Sequence, residues 1–140
     1  MEIPQIVGTY IDTFNRHDLD ACLATFASDG TYSDPGTAHP LSGQAIIDHF
    51  GGALAGFPDL TFEMVAVYAI TADLAVWRWV MRGTNTGSYR GFPPTGRSLI
   101  LPGCEFIAVR EGKLQRVEGY FDRLGMLQQL GLVPTPGQPG

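Results

Sequence analysis

The chain has 140 residues, 44% hydrophobic and 16% charged, which is enough for one packed core and too few for two ordinary domains. At this length folding buries about 70% of the surface that the unfolded chain exposes, so packing suffices without a disulfide or a structural metal. Nine Lys and Arg against fourteen Asp and Glu give a formal net charge of −5, and the scattered cations, from Arg16 to Arg123, exclude a nucleic-acid or anionic-membrane surface built on clustered positive charge.

No basic stretch followed by an apolar one opens the sequence, and no run of eighteen apolar residues occurs, so no membrane span is predicted and a cytoplasmic location is expected by default. The residues Ile3, Ile6, Val7, Tyr10, Ile11 and Phe14 recur at helical spacing and predict a first helix. Asp18 is placed to cap a second helix whose buried face is Leu19, Cys22, Leu23 and Phe26. Asp29-Gly30 reads as a turn, Thr31-Tyr32-Ser33 as a short strand, and Asp34-Pro35-Gly36 as a turn leading into a loop through His39-Pro40. Ser42 is expected to cap a third helix with the face Ile46, Ile47, Phe50 and Leu54. Its last turn should fray, because Gly51 and Gly52 each cost about 1 kcal/mol relative to alanine.

Beyond Asp59 the pattern changes to strands at Leu60 to Ile70, Leu74 to Arg82, Ser98 to Val109 and Leu114 to Phe121. Thr71-Ala72-Asp73 and Glu111-Gly112 read as hairpin turns, and Gly83 to Gly96 as a longer connection. A terminal helical turn spans Leu124 to Leu130 and stops at Gly131. Residues 1–134 are thus expected to form one domain, with 135–140 a flexible tail. Helices ahead of an antiparallel sheet make an α+β fold in which the sheet curves around the helices. Trp77, Trp79 and Met81 alternate with Val76 and Val80, so both faces of that strand are apolar, and a homodimer through the outer face is the simplest cover.

Motifs for cofactors, metals or a nucleophilic serine are missing from the sequence, so no cofactor and no metal site is expected. His17, His39 and His49 share no ligand spacing and read as loop or surface residues, and Cys22 and Cys104 as small core residues. Along the last strand, Arg116, Glu118, Tyr120 and Asp122 share one face. With a two-residue turn at Glu111-Gly112, Glu105 stands opposite Glu118, and two facing carboxylates disfavour double ionisation, a source of a general acid or base. Asp122 has two readings, a cap for the terminal helix or a proton carrier. Asp34 reads as a turn former, and Tyr10 and Tyr32 as core aromatics.

Six short segments in order, Leu41-Ser42-Gly43-Gln44, Phe57-Pro58-Asp59-Leu60, Gly83 to Gly87, Pro93 to Arg97, Arg110 to Lys113, and Asp122 with Leu127 to Gly131, resemble the SnoaL-like polyketide cyclases. The resemblance implies a cone-shaped, nuclear-transport-factor-2-like α+β fold around an apolar pocket, usually dimeric. It also implies aldol-type ring closure without metal or cofactor, with Asp122 as general acid/base. For a small apolar ligand, Tyr10, Tyr32, Asn85, Glu105 and Glu118 are the expected polar neighbours of Asp122, and Phe14, Phe50, Trp79 and Met81 the expected wall. Asn85 stands where many members carry histidine, and Glu118 where an aromatic or histidine is common. Isomerisation, epoxide hydrolysis, and ligand binding or assembly without catalysis are the other activities the wider superfamily allows.

Overall fold

The computed structural model describes residues 2–137; the last three residues of the predicted tail lie outside the described residues. The first helix, α1, is Gln5–Asn15, and it begins behind Pro4, which has no N–H to offer and leaves Ile3 exposed. Helix α2 is Leu19–Leu23, and the Asp18 side chain accepts from Ala21 N at 3.2 Å as the sequence predicts. Phe26 belongs to strand β1, Phe26–Ser33, and not to α2. Asp29-Gly30 is not a turn but an irregularity inside β1, where the pairing with strand β6, Lys113–Phe121, shifts register. Only glycine fits there, since a Cβ on Gly30 would stand 2.6 Å from the Leu114 carbonyl oxygen.

Leu41–Ser42 forms a two-residue strand, β2, and helix α3 is Gln44–Gly56. The expected Ser42 cap does not form: Gly43, at φ 59°, is the residue before the helix, and Ser42 is occupied in the sheet. Nor does the glycine pair end α3 early, because Ile46, Ile47 and Phe50 bury its inner face and Phe57 N closes it on Ala53 O at 2.9 Å. Strands β3, Thr61–Thr71, β4, Leu74–Thr84, and β5, Ser98–Arg110, precede β6, and helix α4, Arg123–Gln129, follows it.

The sheet runs β2-β1-β6-β5-β4-β3. It is mixed rather than wholly antiparallel, because β1 lies parallel to β6. The β5–β6 turn is the predicted two-residue one, with Glu111 and Gly112 both at positive φ and Arg110 opposite Lys113. One position on, the strands slip: Val109 faces Leu114, but Ala108 faces Arg116, leaving Gln115 as an extra residue in β6. The slip keeps both Leu114 and Val117 in the core, each fully buried, and turns Arg116 and Glu118 outward. Glu118 therefore faces Phe106, and Glu105 faces Gly119, so the expected Glu105–Glu118 pair does not exist.

One continuous core joins α1 (Val7, Tyr10, Ile11, Phe14) and α3 (Ile46, Ile47, Phe50) to the inner face of the sheet, where Trp77, Trp79, Leu101, Ile107 and Val117 are buried. Phe14 meets Phe50 and Phe62 edge-on, each with ring centroids 5.0 Å apart. Among the described residues no helix is long and apolar enough to cross a membrane.

Candidate functional site

The helices do not fill the whole inner face of the sheet. Between them lies a cavity of about 60 Å³ whose wall is mainly aromatic: Phe14, Phe50, Phe62, Trp77, Trp79 and Phe121 line it, with Met81. One water needs roughly 10–15 Å³ of such space, so several fit. Into this apolar wall the chain projects a small set of polar groups.

Glu105 comes from the middle of β5, opposite Trp77 on one side and Gly119 on the other, and is 4% exposed. Its Oε1 accepts from the Tyr10 hydroxyl of α1 at 2.9 Å. Among the described residues Oε2 has no hydrogen-bond partner. Burial pushes the Glu105 carboxyl from its ordinary 4.5 to about 8; the Tyr10 bond opposes that rise and the charge of Asp34 adds to it. At pH 7 these surroundings favour the neutral carboxylic acid, with an O–H to give.

Asp34 follows β1 and has the opposite character. Burial alone would raise its carboxyl, but bonds from His49, Tyr32 and the Gly36 backbone outweigh burial and hold it below the usual carboxylate range. Oδ2 accepts from Tyr32 Oη and from His49 Nε2, both at 2.8 Å, and Oδ1 accepts from Gly36 N at 2.6 Å. About four lone-pair positions exist on a carboxylate, so roughly one stays free. The Arg90 guanidinium, which can only donate, sits 3.2 Å from His49 Nδ1. Nδ1 is therefore the accepting nitrogen, and Nε2 carries the proton given to Asp34.

Gly119 is where these groups meet. A methyl on it would stand 3.4 Å from Asp34 Cβ, 3.5 Å from Tyr32 Oη and 3.6 Å from Glu105 Cγ. Both phenols, Tyr10 and Tyr32, are pushed up by burial and then by Glu105, so they remain donors. The indole nitrogens of Trp77 and Trp79, two of the residues lining this cavity, are buried donors without a partner among the described residues.

The cavity brings together seven of the ten residues named from the sequence: Tyr10, Phe14, Tyr32, Phe50, Trp79, Met81 and Glu105. The other three stand elsewhere. Asp122 is exposed, and its carboxylate accepts from Gly125 N at 2.8 Å to cap α4; strand alternation sends Phe121 inward and Asp122 out. Glu118 lies on the outer face, bonded to Arg116 Nε at 3.0 Å. Asn85 is buried but is not part of the cavity lining, and it ties down the 85–97 connection: its Nδ2 donates to Gly56 O and Gly87 O, and its Oδ1 accepts from Thr95 N and Oγ1. Two buried or half-buried polar residues of the lining, Asp34 and His49, were not expected there from the sequence. Asp34 was hidden by its turn-forming sequence, and His49 by its neighbours, although its place three residues after the buried Ile46 puts it on the same side of α3.

The model of the SnoaL-like polyketide cyclase family matches residues 4–130, and the chain belongs to that family. It is 35% identical over 74 residues to a steroid Δ-isomerase of Nocardioides simplex; the match spans 53% of this chain and 59% of that one. Among solved structures, IdmH of Streptomyces antibioticus, described as a candidate polyketide cyclase, is 29% identical with TM-score 0.77, over 90% of this chain and 96% of that one. A protein of ketosteroid isomerase-like fold from Catenulispora acidiphila, solved with trimethylamine, is 20% identical with TM-score 0.79, over 96% and 100% of the two chains. A candidate SnoaL-like cyclase from Jannaschia shares the fold at TM-score 0.82 and 19% identity, over 96% and 99%. The architecture is accordingly the nuclear-transport-factor-2-like, ketosteroid isomerase-like α+β fold.

The burial of Glu105 has a measurable cost. The folded chain keeps the Glu105 proton until about pH 8 while the unfolded chain releases it near 4.5. Between those values the native state binds more protons, so unfolding free energy falls as pH rises. Urea denaturation at pH 5 and pH 8 should show the native chain losing roughly 3–4 kcal/mol more over that interval than Glu105→Gln. Parallel losses in the two proteins would contradict the assignment.

Proposed function

We propose that this protein is a cofactor-independent acid/base enzyme that moves a proton next to the carbonyl group of an apolar organic compound. The observation that carries the reading is one apolar cavity with two carboxyl groups in contrasting surroundings: Asp34 accepts from His49, Tyr32 and Gly36, which favours its charged form, whereas Glu105 is buried with Tyr10 alone, which favours its neutral form. Groups whose surroundings drive their pKa values apart are suited to separate roles as base and acid.

In the proposed step the free lone pair of the Asp34 carboxylate takes a proton from the carbon beside the carbonyl. The C–H electron pair moves into the carbonyl, and the developing oxyanion is met by the Glu105 O–H, itself held by Tyr10. His49 and Tyr32 hold Asp34 in one orientation. Return of the proton to another carbon gives an isomer, as the name of the Nocardioides relative suggests; attack of the enolate carbon on a second carbonyl closes a ring, as the family name suggests. Both outcomes share the first step. Hydrolysis of an epoxide, in which one carboxylate activates water and a carboxylic acid protonates the leaving oxygen, has less support, because the Glu105–Glu118 pair expected from the sequence does not form.

A β,γ-unsaturated steroid ketone is a direct probe, read by the ultraviolet absorbance of the conjugated product and by exchange of its α protons in D2O. Asp34→Asn and Glu105→Gln should each lose about 10²-fold or more in kcat, while Asp122→Asn stays within about threefold. Retention of exchange within tenfold in Asp34→Asn would overturn the roles.

We also infer a homodimer through the outer face of the sheet, where Tyr68, Ile100, Phe106 and Tyr120 are exposed and Phe106 and Tyr120 pack edge-on at 5.8 Å. Sedimentation velocity should give twice the chain mass, and the chain mass alone for Phe106→Glu. A monomeric parent chain would remove the inference.

A further inference from the structure

Two cations, Arg90 and Arg123, line the edge of the cavity, and both are exposed. Neither is within salt-bridge distance of a carboxylate among the described residues, which is also true of Arg78, Arg97 and Arg110; what sets Arg90 and Arg123 apart is that they are the two arginines of the cavity lining. Arg90 Nη2 donates to the backbone carbonyl of His49 at 3.3 Å as well as facing its ring. The guanidinium also packs over Tyr89, 5.2 Å from the ring centroid, and over Gly52, where a Cβ would stand 3.1 Å from Nη1. These contacts fix its position and leave its other nitrogens free. Arg123 Nη1 donates at 3.3 Å to the carbonyl of Pro35, in the turn that carries Asp34. Two guanidinium groups against one ionised carboxylate, Asp34, leave the lining with net positive charge.

We propose that the natural substrate is an organic acid: its apolar body with the reacting carbonyl enters among the aromatic residues, and a carboxylate at its outer end is held by Arg90 and Arg123. This rests on the proposed function and adds the charge of the substrate to it. A guanidinium already held by packing loses little freedom on gripping a planar carboxylate, so it binds such a group well.

The only two tryptophans, Trp77 and Trp79, line the cavity, so tryptophan fluorescence reports its occupancy. The probes are naphthalene-2-acetic acid and its methyl ester at pH 7, which share the apolar body and differ in charge. The acid should bind the native chain about tenfold or more tightly than the ester, as hydrogen bonds to a charged group predict. Arg90→Gln and Arg123→Gln should each weaken the acid by about tenfold and move the ester less than twofold, the unchanged ester affinity showing that the cavity is intact. High salt should narrow the difference. Equal affinity of acid and ester, or a preference that survives both substitutions, overturns the organic-acid inference and leaves the proposed chemistry standing. Failure of both probes to bind removes the apolar receiving cavity on which both depend.

Discussion

A carboxylic acid kept from water is the constraint around which this molecule is arranged. Glu105 sits in mid-strand with Trp77 on one flank and a bare glycine on the other, and the aromatic rings of α1 and α3 close over it. In such a place the ionised form is costly, and the chain offers one phenol as compensation. Had the sequence placed an arginine there, Glu105 would be a buried ion pair. With Tyr10 alone it stays a proton donor, and the polarity of the cavity follows from that choice.

Asp34 shows how the same apolar surroundings yield the opposite charge state. It leaves the sheet at the end of β1, where a turn gives it a backbone N–H and where α3 brings a histidine. Three hydrogen bonds offset the desolvation that Glu105 meets with one. The two acids remain close because Gly119 inserts no side chain between the strands that carry them. Shape, charge and hydrogen bonding thus come from different elements and meet at a single point of the sheet.

Helical spacing and strand alternation made most of the architecture legible: the apolar rhythm of α1, the Asp18 cap and the Glu111-Gly112 turn are local features with local causes. The aromatic wall of the cavity was legible for the same reason. The polar centre was less so, because its geometry is non-local. One additional residue in β6, Gln115, moves Glu118 to solvent and removes a carboxylate pair that strict alternation predicts. Asp34 and His49 are fifteen residues apart, and each has an ordinary local explanation, a turn and a helix. Asp122, the proton carrier that the resemblance implies, also has a local use, which the structure shows: as the residue before a helix with a free N–H three positions on, it caps α4 from an exposed position.

The chemistry proposed for the cavity requires Glu105 to hold its proton at neutral pH, and the carboxyl group itself reports this. Carbon-13 NMR of glutamate-labelled protein, with Glu105→Gln identifying the resonance, should show one side chain titrating near pH 8, well above its exposed counterparts. A Glu105 resonance that titrates near 4.5 would mean a charged group in the cavity, and the division of labour between it and Asp34 would be wrong.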